Sequence, residues 1–138
     1  MSGLLARFRS EERGQSLVEF AVSVPLLLLL LLGIMDFARA WNIHQVLTDA
    51  GREATRVAVV DNGSTDPQIR QIARDAAARA GITLPDGQIT ITQGAGRGDP
   101  TTVRIQYGHE LRWVGWALSL VGADRTLNLN VVSTMRRE

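Results

Sequence analysis

The chain is 138 residues long, 45% hydrophobic, with a formal net charge of +1. That length holds one membrane helix and one small domain of about 80 residues. It contains no cysteine, which excludes disulfides, thiol catalysis and thiolate metal sites, and all 15 basic residues are arginine, which removes lysine Schiff-base chemistry and the phosphate-loop lysine.

Residues 1–14, MSGLLARFRSEERG, form a polar head in which Arg7, Arg9 and Arg13 outnumber Glu11 and Glu12. The rest of the chain then carries 12 basic and 12 acidic residues. A neutral body of this kind presents no electrostatic footprint for nucleic acid. The arginines of the head favour the cytoplasmic side of a membrane, which places everything after Met35 outside. Downstream, Asp36 and Arg39 cancel each other, so the orientation rests on the head.

An apolar run follows. From Leu17 to Met35 there are 19 residues, which as a helix cover about 28 Å against a hydrocarbon core of about 30 Å. Leu26, Leu27, Leu28, Leu29, Leu30, Leu31 and Leu32 stand at its centre. Eleven of the residues from Phe20 to Met35 are Leu, Ile, Val or Phe. On the insertion scale they contribute about −3 to −7 kcal/mol, more than Glu19 near the edge can cancel. Pro25 and Gly33 lie within the run, and membrane helices tolerate both where neighbouring groups compensate. Residues 15–36 are therefore expected to cross a bilayer.

Nothing breaks the helix after the membrane. Ile43, Val46, Leu47, Ala50, Ala54, Val57 and Ala58 recur at spacings of three and four, opposite Asn42, Gln45, Asp49, Arg52, Glu53 and Arg56. Asp61-Asn62-Gly63 supplies a stop. The pattern predicts one helix over about Gln15 to Val60, roughly 69 Å long. Asp66 as N-cap and Pro67 at the first helical position open a second helix. Its narrow stripe is Ile69, Ile72, Ala73, Ala76, Ala77 and Ala80, and Gly81 closes it.

After Leu84-Pro85-Asp86-Gly87 the period drops to two. Ile89 and Ile91, then Val103, Ile105 and Tyr107, then Leu127, Leu129, Val131 and Met135 alternate with polar residues, giving three half-buried strands. The glycine-rich stretch from Gly94 to Pro100 joins the first two as a mobile hairpin. Between the last two strands, Leu111 to Val121 is apolar, carries Trp113 and Trp116, and is too short to cross a bilayer. The two tryptophans read as a plug over the open end of a small core, the alternative being a partner-binding or membrane-surface patch. The expected class is α+β: a long transmembrane and amphipathic helix, a short second helix and a three-stranded antiparallel sheet packed on the helix stripe. Residues 37–138 form the outward domain.

Catalytic signatures are weak. His44 and His109 are the only histidines, and neither has metal-ligand spacing around it. Gly94 to Gly98 has the glycine spacing of a phosphate loop but joins strand to strand. No Ser, His and Asp are placed as a triad. The expectation is a protein that is not an enzyme, with no cofactor and no small-molecule substrate.

Glu19 is the charge inside the apolar run, and an ionisable group at membrane depth invites a functional explanation. Gly14, then Glu19 and Phe20, then an apolar run, resembles the prepilin cleavage motif of type IV pilins. The wider string Arg13-Gly14-Gln15-Ser16-Leu17-Val18-Glu19-Phe20-Ala21, with Pro25, the leucines and Gly33-Ile34-Met35-Asp36-Phe37, resembles the TadE-like family over about residues 12–60. That family supplies minor pilins or pseudopilins of the tight-adherence pilus machinery.

The resemblance implies that a prepilin peptidase cuts after Gly14 on the cytoplasmic face and exposes Gln15 as the new N-terminus. Residues 1–14 are then a leader. Glu19 would pair with the freed amine, in its own chain or a neighbour's, so that neither charge is buried alone. The implied partners are the peptidase, other pilin-like subunits, the pilus assembly platform and the inner membrane. A rival reading takes Ala38-Arg39-Ala40 as a signal-peptidase site, releasing a secreted binding module that starts at Trp41.

Overall fold

The computed structural model describes the backbone of residues 2–61, 63–96 and 98–137, and side chains from Gly14 onward except at 62, 97 and 138. Helix α1 runs Ser2–Val60 without interruption, through Pro25, and stops where Asp61 accepts hydrogen bonds from the Gly63 amide (3.1 Å) and the Ser64 hydroxyl (2.8 Å). The Ser64 hydroxyl and the Gly63 amide hold the Asp61 carboxyl below its ordinary pKa range.

Helix α2 covers Asp66–Ala78. Its N-cap is Thr65 rather than the expected Asp66, which moves Pro67 one position further in. The Gln68 side chain reaches back to accept from the Thr65 amide at 2.8 Å, the reciprocal arrangement of a capping box. Ile69, Ala73 and Ala77 are buried as expected, whereas Ala80 lies beyond the helix end and is exposed. Gly81, at φ 75°, turns the chain there, a conformation that costs glycine little.

A single 3-10 turn at Asp86–Gln88 leads into strand β1, Ile89–Thr92. Strands β2, Pro100–Glu110, and β3, Thr126–Arg136, are each 11 residues and longer than the alternation suggested. The sheet order is β1-β2-β3, antiparallel throughout, with Ile89 opposite Ile105 and Ile105 opposite Val131. The loop before β2 is more tied than a mobile hairpin. Asp99 accepts from the Gly96 amide at 2.9 Å, and the Gly98 amide donates to the Arg137 carbonyl at 2.7 Å. Gly94 approaches Asp99 so closely that a Cβ would stand 2.7 Å from the aspartate Cβ.

The core lies between the second half of α1, α2 and one face of the sheet. Leu47, Ala50, Ala54 and Ala58 from α1 meet Ile69, Ala73 and Ala77 from α2, and Ile89, Val103, Ile105, Leu129 and Val131 from the strands. At Gly51 the helix lies against the sheet, where an added Cβ would meet Ser133, Ile105 and Val131 at 3.6–3.7 Å, ordinary van der Waals distance. One turn on, the fully buried Thr55 hydroxyl donates to the Gly51 carbonyl at 2.7 Å, with the Ser133 carbonyl of β3 at 3.5 Å. Residues 111–125, between β2 and β3, contain a short helix α3, Gly115–Leu120.

Candidate functional site

The N-terminal half of α1 stands clear of the rest of the fold. Leu17, Phe20, Leu26, Leu28 and Leu30 are all more than half exposed, as are Ile34 and Met35. Among the described residues this is the helix long and apolar enough to cross a membrane. Its 18-residue window of mean hydropathy 2.5 has no buried share. Leucines on every side of a helix leave no single face for one domain to cover, so the protein itself offers this surface no apolar cover. Lipid or other helices can.

At the start of that surface, Gly14 is exposed and nothing lies within 4 Å of the position a Cβ would take. Gln15 and Glu19 are one turn apart, with Gln15 Nε2 donating to Glu19 Oε1 at 3.4 Å. Side chains on a helix lean toward its N-terminus, so the Glu19 carboxylate covers the turn that begins at Gln15. Phe20 is 67% exposed beside it. Gly14, Gln15, Glu19 and Phe20 thus share one helical stretch, while residues 1–13 of the expected leader lie outside the described side chains. Further along, Leu26, Leu29, Leu30, Gly33, Ile34 and Phe37 line a shallow apolar groove.

The bare half ends at Asp36, where the sequence suggested nothing beyond a flank charge. The Asp36 side chain is 1% exposed and accepts three backbone hydrogen bonds, from Arg112 (3.2 Å), Trp113 (2.8 Å) and Val114 (2.8 Å). A buried carboxylate is costly unless its oxygens are satisfied, and three amide donors do that here. Val114 also packs at the helix: a Cβ on Gly33 would be 3.6 Å from its Cγ2. Asp36 and Gly33 together fix the segment before α3 to the last turn of the apolar run.

Trp113 and Trp116 do not plug the core. They are 48% and 57% exposed, whereas Ile82, Leu84 and His109 are buried. Leu120 and Val121 are more exposed still. His44 sits on the flank of α1, its ring 6.3 Å from that of Trp41. Ala40, the last residue of the rival cleavage site, is buried within unbroken helix.

The model of the TadE-like protein family matches residues 14–56, in agreement with the resemblance seen in the sequence. The match opens at Gly14 and ends within α1, so it takes in the bare half of the helix, the Asp36 junction and most of the buried stripe. No curated protein and no solved structure matches the chain.

Proposed function

We propose that this TadE-like chain is a minor pilin or pseudopilin of a tight-adherence pilus system, structural rather than catalytic in its role. It is held first as a single-pass protein of the inner membrane, with the N-terminus cytoplasmic and residues 37–138 outside. A prepilin peptidase then cuts between Gly14 and Gln15. The new α-amine begins one turn before Glu19, and the pair neutralises a cation and an anion that would otherwise sit alone at the edge of hydrocarbon. The subunit is drawn from the bilayer by the assembly platform, and the leucine surface exchanges lipid for the helices of other pilin-like subunits. Adhesion and surface attachment follow from the filament that results.

The observation that carries this reading is the exposed apolar helix, continuous with a folded head, that begins at an accessible glycine and carries its acid one turn later. A signal-peptidase cut after Ala40 is less consistent with the same geometry. It would remove Asp36 and leave the amides of Arg112, Trp113 and Val114 without their acceptor.

Two variants test the proposal. Gly14→Trp is expected to accumulate as a longer, unprocessed species on immunoblots of membranes, and normal processing would remove Gly14 as the cut site. Glu19→Ala is expected to insert into the membrane normally but to be depleted from sheared filaments, and normal incorporation would end the charge-pair account.

A further inference from the structure

The pilin reading makes no use of the apolar surface around α3. Trp113 and Trp116 are 48% and 57% exposed, and Leu120 and Val121 are 77% and 78% exposed. On α1, Phe37 and Trp41 are also exposed, their rings stacked 6.3 Å apart. Residues 113–121 thus expose four large apolar groups within nine residues, where single scattered ones would need no explanation.

Their height on the chain is not free. Asp36 binds the amides of residues 112–114, and Val114 abuts Gly33. The segment is therefore tied to the turn where the apolar run ends. From Gly33 to Asp36 the helix rises only about 5 Å, so residues 112–114 lie where the apolar run ends and hydrocarbon gives way to headgroups. Beside that turn Ile34, Met35 and Phe37 of α1 are exposed as well.

We propose that residues 113–121 are an interfacial anchor that lies on the extracytoplasmic leaflet of the bilayer. Trp113 and Trp116 rest at headgroup level, where an indole places its ring in an apolar layer and its N–H in a wet one. Leu120 and Val121 dip to the acyl boundary, and Asp36 is the tether that sets their depth. The occupant is lipid because Asp36 and Gly33 hold residues 112–114 against the end of a helix already in hydrocarbon, which fixes their height. The anchor holds the head against the membrane until the subunit is extracted. This inference rests on the membrane-spanning part of the proposed function and not on cleavage at Gly14.

The test is tryptophan quenching with the full chain in phosphatidylcholine vesicles, using lipids brominated near the headgroup end of the acyl chain. One variant keeps Trp113 alone (Trp41→Phe, Trp116→Phe) and a second keeps Trp116 alone (Trp41→Phe, Trp113→Phe). A third replaces all three tryptophans by Phe and adds Leu29→Trp to report on the span. Trp113 and Trp116 are expected to show blue-shifted emission and to lose most of it to shallow bromines. Adding Asp36→Ala should restore much of that emission. If Leu29→Trp is quenched by deeply brominated lipid while Trp113 and Trp116 keep full emission, the anchor is wrong and the spanning helix stands. Tryptophans shielded from aqueous iodide yet untouched by bromines would mean that protein covers them, which also overturns the anchor. If Leu29→Trp escapes quenching, both readings fail.

Discussion

The two halves of α1 are equally helical and both rich in apolar residues, yet one is bare and the other is covered. Leu28 is 53% exposed, whereas Leu47, five turns later, is fully buried. The difference lies in arrangement and size. Between Leu17 and Met35 bulky side chains surround the helix. Between Ala40 and Val60 the apolar residues form one stripe, and most of those that are buried are small: Ala40, Ala50, Gly51, Ala54 and Ala58. Small residues let a sheet and a second helix pack close to α1, and Ala50, Ala54 and Ala58 share one core with Ala73 and Ala77 of α2. A helix bulky on all sides suits lipid or a bundle, and a helix with a narrow stripe suits one domain. Asp36 marks the change from one to the other.

This contrast can be broken by substitution, with stability of the head followed by chemical denaturation in detergent micelles. Leu47→Ala empties the centre of the core and is expected to cost about 2–5 kcal/mol. Asp36→Ala leaves three amides without their acceptor and should cost about 1–3 kcal/mol, with faster hydrogen exchange confined to residues 112–114. Thr55→Val keeps shape but removes the donor facing Gly51 and Ser133, for about 1 kcal/mol. Leu28→Ala, in the bare half, should change head stability by less than about 0.5 kcal/mol. Equal effects of Leu28→Ala and Leu47→Ala would erase the distinction between the halves.

Much of this was legible in the residues because it depends on local period. The apolar run, the stripe from Ile43 to Ala58 and the three alternating strands all follow from spacing, and the α+β architecture follows from them. Candidate residues near the N-terminus were legible for the same reason, since Gly14, Gln15 and Glu19 lie within one and a half turns. What escaped was long-range. Asp36 meets amides 76 to 78 residues away, and nothing in its immediate flank, where Arg39 balances it, announces that pairing. The tryptophans read as a plug because apolar side chains usually seek a core. Here Asp36 holds the backbone of Trp113 and Val114, and both tryptophans stay about half exposed. The shift of the N-cap from Asp66 to Thr65 had a local signal in Gln68, three residues after the threonine.

In the proposed maturation the helix is freed at Gln15 and remains part of the mature subunit. Intact-mass spectrometry of the membrane-extracted and sheared-filament forms tests it most directly. The account predicts a single species in both fractions that begins at Gln15 and retains the leucine block. A species that keeps residues 1–14, or one that begins at Trp41, would contradict it.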